Sequence, residues 1–225
     1  MRVDLNCDMG EGIGNDEAIM PYISSANIAC GYHAGDRSTM EQTIELCMKY
    51  NVAIGAHPSF ADRENFGRRE ISCSTEEVYT LVKEQIELLH NITEAKGVRF
   101  VHIKPHGALY NMSAKNISLA RAIAQAVKDF DDQLVLFGLS GSHSISEAQA
   151  LGLKTASEVF ADRTYQDDGS LSPRSIPGAL IEEPANAVLQ VLHMVRDGFV
   201  KTVSGKKLPI KAETICIHGD GKSVV

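Results

Sequence analysis

Seven short β-type runs recur along this chain, near 2–8, 26–32, 52–57, 98–104, 133–138, 154–160 and 212–218, with helical sequence between them. Strands that alternate with helices form a parallel sheet. An open parallel sheet buries both faces and its strands read apolar throughout. Several of these runs alternate instead. VDLNCD sets Asp4, Asn6 and Asp8 against Val3, Leu5 and Cys7, and FVHIKPH sets His102, Lys104 and His106 against Val101 and Ile103. The third run sets Gly55 and His57 against Ile54 and Ala56, and the last sets Thr214, Cys216 and His218 against Ile215 and Ile217. Successive side chains on a strand point to opposite faces. A polar inner face inside an apolar outer face and a coat of helices fits a closed sheet. The expected fold is therefore α/β: a (β/α) barrel of seven or eight parallel strands, with residues 1–225 as a single domain.

The helices announce themselves by their ends. Asp36 is placed to cap a helix carrying Met40, Ile44, Cys47 and Met48 at helical spacing. Ser74 and Glu77 spell a capping box for a long helix stopped by Gly97. Asn116 or Ser118 starts another through Val127, and Ser142 begins a short one ending at Gly152. Pro184 suits the first turn of a helix running to Arg196, with Gly198 as its stop. The turn-rich stretch ADRTYQDDGSLSPRSIPG (161–178) is too long for a plain connection and reads as functional or mobile.

A formal charge of −7 argues against nucleic acid and anionic membranes as partners. No apolar run approaches the roughly 20 residues of a membrane span, and no signal peptide is expected. The five cysteines show no C-x-x-C spacing. They fit reduced thiols of a cytoplasmic protein.

Polar groups gather at the C-terminal ends of the runs, where barrel enzymes build their sites. They are Asp8 and Glu11; His33 and Asp36; His57; Lys104 and His106; Ser140 and His143; Glu158, Asp162 and Arg163; His218 and Asp220. Any one of these could be a capped turn or a satisfied buried histidine. Their recurrence at successive strands points to a site. Aspartate and histidine are also metal-ligand types, but no H-E-x-x-H motif occurs, so a divalent metal stays open and no ligand set is assigned. GEGIGND has Asn15 where a dinucleotide fingerprint needs glycine, and GDGKS (219–223) has Cys216 where a P-loop needs its first glycine. Arg63, Arg68, Arg69, Arg163 and Arg174 fall in strand-to-helix loops. Their forks suit a carboxylate or phosphate, or a solvated salt-bridged surface.

DLNCDMGEG (4–12), SANIACGYHAGD (25–36), VAIGAHPSF (52–60), FGRR (66–69), KPHGALYN (104–111), EVFADRTYQDDGSLSPRS (158–175), GALI (178–181) and HGD (218–220) together resemble the LamB/YcsF family. The resemblance runs in order along nearly the whole chain. It implies a barrel of the glycoside hydrolase/deacetylase type. It also implies ATP-dependent opening of the 5-oxo-L-proline lactam to L-glutamate, performed with two partner subunits, B and C. Two departures are a short link at Gly14–Asn15 and the absence of the helix that usually follows HGD. On this resemblance the catalytic candidates are Asp8, His57, Lys104, His106, Glu158 and Asp162. The substrate-binding candidates are Asn6, Glu11, His33, Arg163, Arg174 and His218. Asp8 is the expected base, with Asn6 and Asp4 positioning it or a cation. His57 or His106 is the expected acid, Lys104 the stabiliser of phosphate or oxyanion, and Arg163 the holder of the carboxylate. The competing readings are a metal-dependent deacetylase on a small acylated substrate and a non-catalytic component that only binds and channels substrate.

Overall fold

The computed structural model describes residues 3–218. Asp220 and the GDGKS stretch lie outside the described residues. In chain order the elements are β1 (Asp4–Met9), α1 (Asp16–Ile19), β2 (Ser25–Ala29), α2 (Arg37–Tyr50), β3 (Ala53–His57), α3 (Thr75–Ala95) and β4 (His102–Ile103). There follow α4 (Gly107–Lys115), α5 (Ile117–Phe130), β5 (Val135–Leu139), α6 (His143–Ala150) and β6 (Lys154–Phe160). Last come α7 (Pro184–Leu192), the hairpin strands β7 (Phe199–Lys201) and β8 (Lys207–Pro209), and β9 (Thr214–Ile217). The strands β1-β2-β3-β4-β5-β6-β9 close into one barrel. Every pair in it is parallel, and β9 closes it between β6 and β1. The barrel therefore has seven strands.

The expected helix signals operate locally. The Asp36 side chain accepts from Thr39 N at the start of α2, and Ser74 and Glu77 exchange both bonds of a capping box at α3. Asn116 rather than Ser118 caps α5, accepting from Ser118 N and Leu119 N. Ser142 precedes α6 without a side-chain cap bond. Pro184 opens α7, which passes into a π-type turn over His193–Asp197 before Gly198 stops it in the left-handed region. Met48 falls off the buried face of α2 and is exposed.

The outward faces of the strands carry Cys7, Met9, Ile28, Ile54, Ala56 and Ile103, all in the main apolar core. Onto them pack Val78, Val82, Ile86 and Leu89 of α3 and Leu119, Ile123 and Val127 of α5. Each such aliphatic side chain contributes roughly 1.5–3 kcal/mol on burial. A smaller cluster around Val159, Tyr165, Met194, Val200 and Ile215 seats α7 and the hairpin.

Strand β4 is shorter than the run over 98–104 suggests. Pro105 has no N–H to continue the ladder, although Val101 N and Lys104 N still donate to Ile54 O and Ala56 O. The helix α4 and the β7–β8 hairpin carry no signal strong enough to mark them in sequence: α4 is short and begins just after Pro105, and the hairpin strands have three residues each.

Candidate active site

The inside of the barrel is a hydrogen-bonded polar column. At its lower end Asp4 accepts from Ser24, Ser25 and Thr214 hydroxyls. Above it Asn6 Nδ2 donates to Thr214 Oγ1 at 2.6 Å and to Glu158 Oε1 at 2.9 Å. Asn27 Nδ2 donates to Asn6 Oδ1 and to Asp8 Oδ1. His102 Nε2 lies 2.9 Å from Asn27 Oδ1 and its ring stacks on Phe137 at 4.3 Å. Burial keeps His102 neutral, with its pKa pushed down to about 3. Gly55 makes room for this ring: a Cβ there would lie 2.1 Å from His102 Nε2.

At the top of the column Lys104 meets Asp8. Lys104 Nζ donates to Asp8 Oδ1 at 2.7 Å, lies 3.2 Å from Glu158 Oε1 and 3.1 Å from Cys216 Sγ. Burial alone would discharge the lysine, but Asp8 and Glu158 outweigh it and hold its pKa well above the ordinary value. Burial likewise works against the Asp8 carboxylate, and His57 and Lys104 overcome it, so its pKa sits well below the usual range. A carboxylate held this way orients and neutralises well but accepts protons poorly at neutral pH.

Beside this pair stands a wall of imidazoles. His57 Nε2 lies 3.3 Å from Asp8 Oδ2 and 2.9 Å from His106 Nδ1. His33 stacks flat on His106 at 3.9 Å, and its Nε2 lies 3.2 Å from Glu11 Oε1. Burial and the neighbouring His57 push the His33 pKa down to about 3. Burial, His57 and His33 hold that of His106 well below the usual range. Two loops fix the wall. Gln85 on α3 bonds both the N–H and the carbonyl of Ser59, which pins the turn after β3. Gly107 takes φ +56° against the Gly67 carbonyl, where a Cβ would come within 2.5 Å, and this brings His106 to the Phe66 carbonyl.

The opposite wall comes from the loop after β6. Arg163 Nη2 donates to the Ser172 carbonyl at 2.5 Å, and bridges pair Arg163 with Leu180 and Tyr165 with Leu171. The loop is thus folded onto the rim, with Tyr165 fully buried and accepting from Phe160 N. Burial and nearby Arg174 lower the Arg163 pKa to about 10, so its guanidinium is still charged at neutral pH. Between the walls is a cavity of about 460 Å3, lined by Asp8, Glu11, His57, Arg68, Lys104, His106 and His218 together with Arg163 and Arg174 of the β6 loop.

The family model described as LamB/YcsF matches residues 3–225. The chain belongs to the LamB/YcsF family. It is 53% identical to the 5-oxoprolinase A subunit of Bordetella pertussis over 223 residues, covering 97% of this chain and 88% of the relative. It is 54% identical to the 5-oxoprolinase A subunit of Geobacillus kaustophilus, covering 99% and 89%. The crystal structure of the lactam utilization protein from Thermus thermophilus superposes with a TM-score of 0.91 at 43% identity, covering 97% of this chain and 90% of that one.

In this LamB/YcsF barrel, eight of the twelve expected site residues line the cavity: Asp8, Glu11, His57, Lys104, His106, Arg163, Arg174 and His218. The other four stand behind them. Asn6 and Glu158 are fully buried beneath the floor and hold Lys104 and each other. His33 backs His106, and Asp162 accepts from His218 N and faces His218 Nδ1 at 3.0 Å. Three strand-end groups have structural partners: Asp36 caps α2, Ser140 Oγ accepts from Lys211 N, and Arg63 donates to the Gly31 and Gly35 carbonyls. His143 lines a neighbouring hollow with Lys115 and Ser142.

Two further site residues escape the sequence pattern. Asn27 ties Asn6 to Asp8, and its place inside the SANIA strand, between apolar neighbours on both sides, is the signal that could have found it. Tyr110 reaches the cavity from α4, and burial and Glu158 raise its pKa well above the ordinary value, so its hydroxyl keeps its proton.

Proposed function

We propose that this chain is the A component of a 5-oxoprolinase. It opens the lactam of 5-oxo-L-proline to L-glutamate, coupled to ATP hydrolysis, in an assembly with B and C subunits. The observation that carries this reading is the pairing, across one small cavity, of a dry ammonium–carboxylate floor with an arginine rim. It occurs in a chain more than half identical to proteins named as the A subunit of 5-oxoprolinase.

A lactam is an amide, and its nitrogen is a poor leaving group. Phosphorylating the amide oxygen makes the ring carbon electrophilic, which is the physical reason for ATP. Water adds to that carbon, the C–N bond breaks as the nitrogen takes a proton, and a second water releases phosphate from the resulting acyl phosphate. The residues divide the rest of the task. Arg163 and Arg174 hold the substrate carboxylate or the phosphate. Lys104 stabilises the oxygen as negative charge develops on it. Asp8 keeps Lys104 charged and aimed. The His57–His106–Glu11 wall presents the attacking water, and the protonated Tyr110 hydroxyl offers a hydrogen bond to the substrate while the departing ring nitrogen takes its proton from water. The five cysteines are free thiols, which suits the cytoplasm. No helix among the described residues is long and apolar enough to cross a membrane.

The test is glutamate release from 5-oxoproline, with and without ATP, by the chain alone and with B and C subunits added. ATP-dependent release that requires this chain is the expected result. Unchanged turnover by both Asp8→Asn and Lys104→Ala chains in the full assembly would overturn the assignment.

A further inference from the structure

The histidine wall has an unbalanced set of hydrogen-bond donors. His57 Nδ1 lies 2.7 Å from the Lys104 carbonyl, and His106 Nε2 lies 2.9 Å from the Phe66 carbonyl. A carbonyl only accepts, so both outer nitrogens carry hydrogens. If both rings are neutral, the inner nitrogens, His57 Nε2 and His106 Nδ1, turn lone pairs toward each other across 2.9 Å, with Asp8 Oδ2 3.3 Å from the same His57 nitrogen. Two lone pairs at that distance repel unless a positive centre serves both.

Glu11 completes the group. Its Oε1 lies 3.5 Å from His106 Nδ1, and the donor atoms of Glu11, His33, His57 and His106 all fall within 4.8 Å of one another. Ligands about 2.1 Å from a tetrahedral ion sit about 3.4 Å apart, close to the spacings here. The outer N–H groups of both rings are fixed by backbone carbonyls, the orientation that metal-bound imidazoles adopt. His33 stands apart from the other three. Its ring lies parallel to His106, at 10° and 3.9 Å. Two parallel rings cannot both aim an in-plane lone pair at one point. His33 instead offers its Nε2 hydrogen to Glu11.

We propose that His57 Nε2, His106 Nδ1 and Glu11 Oε1 bind a divalent first-row metal ion, with a coordination position facing the cavity and His33 as the residue that positions Glu11. Two imidazoles and one carboxylate suit Zn2+, Co2+, Mn2+ or Fe2+ rather than Mg2+ or Ca2+. Such an ion polarises a water at the cavity floor, beside Asp8. The inference does not depend on which reaction the cavity performs.

The test is metal binding by the purified full chain. The chain is stripped with a chelator, dialysed, and titrated with Co2+ and then Zn2+. One equivalent of Co2+ should bind with visible d–d absorption and be displaced by Zn2+. Zn2+ affinity should fall by about 100-fold or more in His57→Gln, His106→Gln and Glu11→Gln chains, and by about 10-fold in His33→Gln. His193→Gln, on the outer helix, should bind as the unaltered chain does. The proposal fails if the unaltered chain shows no saturable one-equivalent Co2+ spectrum, whatever the variants do. It also fails if folded His57→Gln or Glu11→Gln chains keep full affinity. An imidazolium proton shared by His57 and His106, seen by NMR in a chain that binds no metal, is the alternative these results would establish. Stoichiometric metal binding without 5-oxoproline turnover would leave this inference standing and count against the proposed reaction.

Discussion

Asp8, His57 and Lys104 leave the ends of β1, β3 and β4, whereas Arg163, Ser172 and Arg174 sit on the loop that follows β6. The first group is dry, mutually bonded and backed by the barrel's polar column. The second is held by backbone contacts such as Arg163 to the Ser172 carbonyl, while Arg174 stands at the rim. Charges locked inside a barrel are costly to rearrange, and this suits groups that must stay put while a bond breaks. On that loop Arg163 and Ser172 are buried and Arg174 is half-buried, so Arg174 is the member that can be altered with little effect on folding, and this suits recognition.

That contrast is open to attack by substitution. Lys104→Met should do the most damage. It leaves Asp8 and Glu158 buried without their cation, which costs about 3–5 kcal/mol of stability. It also removes the charge offered to the developing oxyanion, for about 10²–10³ in turnover. Denaturant melts and the reconstituted assay measure the two effects. Equal stability of the altered and unaltered chains would mean the floor is not the rigid half.

The second test is acid titration of the interior. His102 titrates near about 6.5 when unfolded and near about 3 when folded. Between those values the unfolded chain binds the extra proton, so stability rises with pH through this window and is lost as pH falls below about 6.5. The loss from this group is about 2 kcal/mol between about pH 6.5 and 5. Urea unfolding at several pH values, repeated on His102→Gln, isolates it.

On the other wall, Arg174→Ala should raise KM for the anionic substrate about tenfold to a hundredfold, with kcat and melting temperature nearly unchanged. A fall in kcat instead would move Arg174 from recognition into the chemistry. The smallest effect should come from Ser74→Ala, outside both walls. Losing that cap costs about 1 kcal/mol of stability and leaves turnover as it was, measured in the same two assays.

The parts legible in sequence are those governed by near neighbours. Alternation of Asp4, Asn6 and Asp8 with Val3, Leu5 and Cys7 shows which face of β1 is which, because the strand period is local. Asp36, Ser74 with Glu77, and Asn116 mark helix starts because a cap is a bond across two or three residues. Helix α4, which carries Tyr110, and the β7–β8 hairpin are seated by tertiary packing and lack such marks.

By itself, the sequence determined that strands with a polar face would close around a polar interior, and most of the charged residues that line the cavity at one rim. Tertiary structure alone decided their depth and pairing. Glu158 and Asp162 reach the same rim in sequence, yet one ends under Lys104 and the other behind His218. Closure decided also that His57 and His106, 49 residues apart, would bring two ring nitrogens within 2.9 Å. A strand's period fixes the face a side chain takes. Only the register between strands, and the loops that tilt their ends, fix which groups touch.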